Sequence, residues 1–155
     1  MKDSDFHIEL LIDLSQAPYR LLELADPSKK SIDKYLYKGE CYIATQDKNL
    51  VGVIILQAKT INNIEIKNVA IAPEYQGRGF GKLLLRFATR QSKRKGYKKL
   101  IIGTGNSSLS QLALYQKEGF EIADIKRDHY IEKYSQKLYE NGIQCKHQIV
   151  LEKEL

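Results

Sequence analysis

Three glycines spaced by two, Gly77, Gly79 and Gly81, stand between a β-branched apolar run and an apolar helical pattern. No other segment narrows the fold as far. The run Asn68-Val69-Ala70-Ile71-Ala72 reads as the end of a strand, Pro73-Glu74-Tyr75 as a turn, and Phe80, Leu83, Leu84, Phe87 and Ala88 recur at helical spacing. Glycines let a backbone turn sharply and bring successive N–H groups close to a ligand. The helix that follows adds the positive end of its dipole, and Arg78 and Lys82 add full charges. The segment therefore predicts a strand–turn–helix that binds an anion at the turn. A dinucleotide fingerprint, G-x-G-x-x-G, is excluded because the third glycine comes one residue early. A P-loop is excluded because Leu83 stands where the magnesium-binding hydroxyl belongs.

The patterns differ on the two sides of this turn. Upstream, Ala17-Pro18-Tyr19 opens a helix through Leu21, Leu22 and Leu24, and Asp26-Pro27-Ser28 breaks it. Ser28 or Ser31 can cap a second helix carrying Ile32, Tyr35 and Leu36, which Gly39 ends. Residues 41–44, 50–58 and 64–72 read as strands, the first two a hairpin across Gln46-Asp47-Lys48-Asn49. Downstream, the helix from Phe80 stops at Gly96 and a strand follows at 100–102. A helix then runs from Asn106-Ser107 to Gly119 with Leu109, Leu112, Ala113 and Gln116 on one face, and strands are expected at 120–125 and 148–152. Antiparallel strands followed by alternating strands and helices predict an α/β protein with a mixed sheet and helices on both faces.

A chain of 155 residues, 43% hydrophobic and 28% charged, is expected to form one domain over 1–155. The most apolar early run, 8–14, is interrupted by Glu9 and Asp13, and no window reaches spanning length, so a cytoplasmic location without membrane contact is expected. Cys41 and Cys145 lie far apart, and His7, His129 and His147 lack metal-ligand spacing, which predicts two buried thiols and no metal. The net charge of +6 is concentrated in Lys93-Arg94-Lys95 and Lys98-Lys99. A nucleic-acid module would interleave aromatic platforms there; Tyr97 alone is present, so nucleic acid is not expected as a partner.

Gln76-Gly77-Arg78-Gly79-Phe80-Gly81 fits the pattern Q/R-x-x-G-x-G/A between a strand and a helix. Here the chain resembles the GNAT superfamily of N-acetyltransferases, and in particular its small stand-alone bacterial members. The resemblance spans roughly residues 43 to 125, including Val69-Ala70-Ile71 at the strand end and Asn106 followed by Tyr115 and Lys117-Glu118-Gly119-Phe120. It implies a seven-stranded mixed sheet splayed open in a V between the third and fourth helix-side strands and flanked by about four helices. It also implies acetyl-CoA as co-substrate, with its pyrophosphate on Gln76, Gly77, Arg78, Gly79, Phe80, Gly81 and Lys82. The pantetheine arm would lie in the V against Val69, Ala70 and Ile71, with Asn106 bonding the arm's amide.

The same resemblance implies transfer of the acetyl group to an amine by direct attack in a ternary complex. Glu65 is the expected general base, as a partly buried carboxylate suited to take a proton. The backbone N–H of Val69, at a strand bulge, is the expected oxyanion donor. Tyr115 is expected to protonate the departing thiolate. Tyr19 and Tyr35 on the early helices, and His129 and Tyr130 in an aromatic and polar stretch, are expected at the acceptor, a small-molecule or peptide amine. An acidic pocket built from Asp124, Asp128 or Glu132 would favour cationic amines. A homodimer is compatible with the resemblance, and a non-catalytic acyl-CoA-binding module is the alternative reading.

Overall fold

The structure, a computed structural model, describes residues 5–155. It begins with β1 (Phe6–Leu10), a 3-10 turn (Leu14–Gln16), α1 (Tyr19–Ala25) and α2 (Lys29–Lys38). The strands β2 (Glu40–Gln46), β3 (Asn49–Ala58) and β4 (Asn63–Ile71) follow, then a second 3-10 turn (Pro73–Tyr75). The remainder is α3 (Phe80–Arg94), β5 (Lys99–Gly105), α4 (Leu109–Lys117), β6 (Glu121–Lys126), α5 (His129–Lys133), the short pair β7 (Tyr139–Glu140) and β8 (Ile143–Gln144), and β9 (Gln148–Glu154). Seven strands form one sheet in the order β1-β2-β3-β4-β5-β9-β6, in which β4 and β5 are parallel and the other neighbours antiparallel. The mixed sheet expected from the sequence is present. No helix among the described residues is long and apolar enough to cross a membrane.

Alternation along the strands divides the core between the two faces. On one face Ile54, Leu56, Ile64, Ile66, Leu100 and Ile102 pack with Leu84, Leu85 and Ala88 of α3 and with Tyr115 of α4. On the other, Val53, Ile55 and Ala70 pack with Leu21 and Leu22 of α1 and with Ile32, Tyr35 and Leu36 of α2. Ser28 caps α2 by accepting from Ser31 N–H at 3.1 Å. Asp47 and Lys48 adopt positive φ of 51° and 68°, as the tight β2–β3 hairpin requires.

Three elements depart from the sequence reading. The first strand was not expected, because Glu9 interrupts its apolar run. Phe6 and Ile8 pack on the core while His7 and Glu9 point outward, the period of an edge strand rather than of a leader. The aromatic and polar stretch after β6, for which no element was expected, holds α5 and the β7–β8 hairpin. In α4, the expected face of Leu109, Leu112, Ala113 and Gln116 is wrong. Leu112, Leu114 and Tyr115 pack inward, while Leu109, Ala113 and Gln116 are exposed. Both cysteines are buried free thiols.

Two features of β4 position the site. Its ladder with β5 runs from Asn63↔Lys99 to Ile66↔Ile102 and stops there. Beyond this point residues 69–71 pair with β3, and residues 103–105 pair with β9, so the sheet opens as a V between β4 and β5. The register with β3 also slips, from Leu56↔Ile66 to Ile55↔Asn68, which makes Lys67 the extra residue of a bulge. The bulge therefore sits at Lys67, two residues before Val69. It reverses the alternation, so Glu65 and Asn68 face the α1–α2 side while Val69 and Ile71 face α3.

Candidate active site

Two clefts open into the V. The first, of about 600 Å³, lies under the turn before α3 and is lined by Val69, Ala70, Ile71, Gln76, Gly77, Gly79, Phe80, Gly81 and Lys82, with Leu114 and Tyr115 of α4 opposite. Gly77 and Gly79 take φ of 76° and 88°, and a Cβ at either would meet nothing within 4 Å. The glycines thus serve backbone conformation, and the space before them is open. No side chain caps α3 at Gly79. The first N–H groups of the helix have no partner within it, and Gly79, Phe80, Gly81 and Lys82, which carry them, line the cleft. Gln76 Nε2 donates to Ile71 O at 3.0 Å, tying the turn back to the end of β4. Arg78 does not line the cleft; its guanidinium lies 5.3 Å from the centre of the ring of Tyr75, which does.

The second cleft, of about 680 Å³, lies on the other side of the same point. Glu65, Lys67, Asn68, Asp26, Tyr35, His129, Tyr130 and Tyr134 are among its lining residues. The two clefts share Leu24, Ala25, Val69, Gln111 and Tyr115. Leu24 is 55% exposed although it stands at this junction, an apolar side chain facing empty space.

Tyr115 is 5% exposed and faces both clefts. Burial, reinforced by the nearby Tyr130, raises its phenol well above the ordinary tyrosine value, so the hydroxyl keeps its proton. Glu65 lies between two ammonium groups, with Oε1 3.9 Å from Lys59 Nζ and 3.7 Å from Lys67 Nζ. Tyr35 donates to Asp26 at 3.1 Å and accepts from Asn68 Nδ2 at 2.9 Å, so its hydroxyl is held within the wall. His129 packs edge-on against Tyr130, and burial and the charges of Lys133, Lys126 and Lys67 lower its pKa. Burial pushes the Tyr130 phenol up to about 12.

Besides Arg78, two expected site residues lie elsewhere. Asn106 does not line either cleft. Its Nδ2 donates to Gln144 O at 3.1 Å, and its Oδ1 accepts from Lys146 N at 2.8 Å and His147 N at 2.9 Å. The amide is thereby committed to the β8–β9 connection, and Ser108 occupies the N-cap position of α4. Tyr19 also lies outside both clefts, donating to Asp33 at 2.6 Å on α2. Asp124, Asp128 and Glu132 are exposed and line neither cleft, so the acidic pocket considered from the sequence is not built from them.

The residue that sequence reasoning missed is Asp26, read there as a helix breaker. It is 5% exposed and accepts from Tyr134 OH at 2.5 Å, Tyr35 OH at 3.1 Å, Ser28 N at 3.1 Å and Lys133 Nζ at 3.4 Å. Burial works to raise its pKa, but these donors outweigh it and hold the carboxyl below the usual range. Asp26 thus clamps α5 to the ends of α1 and α2. A sequence offers no local sign of a partner 108 positions away.

Residues 37–122 match the acetyltransferase (GNAT) domain. Over 97% of both chains the protein is 42% identical to the uncharacterized N-acetyltransferase YvbK of Bacillus subtilis. Among solved structures, a GNAT family acetyltransferase from Elizabethkingia anophelis with acetyl-CoA bound is 44% identical, with a TM-score of 0.96 over 99% of this chain and 100% of that one. An IAA acetyltransferase from Bacillus cereus is 44% identical, with a TM-score of 0.93 over 97% and 99%. The chain belongs to the GNAT family of acetyltransferases.

Proposed function

We propose that the protein transfers an acetyl group from acetyl-CoA to an amine by direct attack, the two substrates entering from opposite clefts and meeting at Val69 and Tyr115. The observation that carries this reading is the junction itself. A cleft fitted for a pyrophosphate and a polar second cleft share a strand edge and a buried phenol. The Elizabethkingia relative, with acetyl-CoA bound, supports the choice of acyl donor. The open glycine turn and the uncapped start of α3 fit that group's pyrophosphate.

In this reading the backbone N–H groups of residues 77–82 hold the pyrophosphate, with Lys82 as counter-charge. Val69, Ala70 and Ile71 guide the pantetheine arm along the free edge of β4. Glu65, reaching the second cleft, takes a proton from the incoming ammonium, directly or through water. The nitrogen lone pair then attacks the thioester carbon, and Val69 N–H steadies the developing oxyanion. As the C–S bond breaks, Tyr115 gives its proton to the sulfur, the nitrogen of the adduct releases its second proton to water, and the phenolate is reprotonated from solvent.

The test is calorimetric titration with acetyl-CoA, followed by amine turnover monitored through thiol release, for the wild type and Glu65→Gln. Micromolar binding is expected in both, with kcat reduced roughly 10²-fold in the variant. A folded wild type that fails to bind acetyl-CoA would sink the reading. Unchanged kcat in the variant would remove Glu65 as base and leave a water chain in its place.

A further inference from the structure

Asn68 stands between the bulge at Lys67 and Val69, and although polar it is only 4% exposed. Its Nδ2 donates to Leu22 O of α1 at 3.0 Å and to Tyr35 Oη of α2 at 2.9 Å. A carbonyl oxygen can only accept, and Tyr35 gives its own proton to Asp26, so the orientation of the amide is fixed. Its Oδ1 is thereby buried with no donor among the described residues. An orphaned buried acceptor costs stability, and an apolar residue at this position would avoid that cost. Stability alone therefore does not account for an asparagine here.

What the two donated bonds hold is a peptide. Ala72 N–H donates to Val51 O at 2.7 Å, so by the alternation of an antiparallel ladder the N–H groups of Ala70 and Asn68 also turn to β3. Those of Val69 and Ile71 turn to the opposite edge, where pairing with β5 has already ended at Ile66. The Asn68–Val69 peptide thus has β3 on one side only, and it follows directly on a bulge, where a ladder is locally disrupted. A peptide is planar, so the direction of Val69 N–H follows from where Asn68 is held.

We propose that Asn68 is a positioning residue for acetyl transfer: its carboxamide, pinned between Leu22 and Tyr35, aims Val69 N–H at the thioester oxygen. This rests on the reading in which that N–H meets the developing oxyanion, and it adds the group that aims it. Asn68 acts through the backbone, bracing β4 against α1 and α2 so that the donor keeps its place as the oxygen gains charge.

The experiment uses the whole chain loaded with acetyl-CoA isotopically labelled at the thioester carbonyl. Infrared difference spectroscopy reads the carbonyl stretch. Thiol release by water, which forms the same oxyanion and needs no identified amine, reads the rate. In the wild type the stretch should lie below its position in free acetyl-CoA, because a donor at the oxygen polarises the bond. Asn68→Ala should return it toward the free position and lower kcat roughly 10²-fold, the cost of a donor misplaced by about an ångström, with acetyl-CoA affinity little changed. Tyr35→Phe keeps the ring and the bond from Asn68 to Leu22, so it should shift the stretch less and lower kcat about tenfold. It decides alone if Asn68→Ala does not fold. Leu151→Val truncates the core on the α3 face and controls for lost stability; the stretch should stay in place. A stretch unmoved in both site variants, one moved as far by Leu151→Val, or a rate loss removed by saturating acetyl-CoA would overturn the proposal. A wild type that binds acetyl-CoA without lowering the stretch strikes the oxyanion at Val69, and the proposal with it. Failure to bind strikes the acetyltransferase reading instead.

Discussion

The two clefts that meet at Val69 and Tyr115 are built on opposite principles. The first cleft, proposed for the cofactor, draws most of its lining from one contiguous stretch, the end of β4, two positive-φ glycines and an uncapped helix start, with α1 and α4 closing it. The second cleft, proposed for the acceptor, is lined from α1, α2, β4, α5 and the β7–β8 hairpin, joined by Asp26 across more than a hundred residues. A ligand read by N–H groups tolerates varied side chains around it, provided the turn is kept. A ligand read by side chains changes whenever those side chains do. On the proposed reading, the donor is then read by the shared turn, while the acceptor must be sought in this chain's own residues.

The largest effect expected from breaking the contrast is on the cofactor side. In Gly79→Glu/Gly81→Glu, two carboxylates replace the space and positive field offered to a pyrophosphate, and the αL backbone at Gly79 is strained. Calorimetry should show acetyl-CoA affinity lowered by roughly 10³-fold, two carboxylates each opposing an anion across a short distance. Circular dichroism should show the fold retained. Retained affinity would mean that the turn is not the anion site.

Tyr115→Phe probes the junction. The ring remains to pack against Phe120, 6.1 Å away between centroids, and the proton is lost. Turnover should fall about 10²-fold with acetyl-CoA affinity little changed, because the donated proton serves the transition state alone. A loss of affinity equal to the loss of rate would assign the phenol to binding rather than to chemistry.

The same contrast decides what was legible in the sequence. The glycine turn, the strand before it and the helix after it could be placed because each is dictated by residues within a few positions. Their partner across the sheet, β5, followed from a short apolar run. Asp26 could not be placed, since an Asp before Pro reads locally as a helix stop and its partners Tyr134 and Lys133 are distant. Asn106 and Tyr19 line neither cleft for the related reason that a polar side chain's partner is a tertiary fact. The amide found the β8–β9 turn, and the phenol found Asp33. The inward face of α4 was misread because its sequence is apolar on more than one side, and contact with β-strands and Gly81 selected Leu112, Leu114 and Tyr115.

Asp26→Asn sharpens the acceptor side. Three neutral donors and Lys133 would lose a charged acceptor, costing about 2 kcal/mol, roughly 30-fold in the folding equilibrium. Because the carboxyl lies below its ordinary range in the folded state, its contribution is fully present above the unfolded carboxylate pKa of about 3.9 and is lost as pH falls through the folded value. Melting temperatures taken from neutral pH to below pH 3 should therefore converge for wild type and variant at the acid end. Acetyl-CoA affinity should stay near wild type, while the acceptor KM rises as α5 loosens. Parallel melting curves at every pH would detach Asp26 from the acid response.

Arg78→Ala gives the smallest effect and tests the contrast from inside the cofactor turn. The guanidinium stacks on Tyr75 and does not line the cleft, so it contributes field rather than contact. A charge at the rim acts through water and salt, and its removal should weaken acetyl-CoA binding by about fivefold at low salt and less at higher ionic strength. If backbone N–H groups hold the pyrophosphate, that modest and salt-sensitive loss is what one rim cation can contribute. A loss approaching that of the glycine double variant, insensitive to salt, would mean that Arg78 swings off Tyr75 to grip the anion directly. The two clefts would then be alike in relying on side chains, and the division between a backbone-read donor and a side-chain-read acceptor would fall.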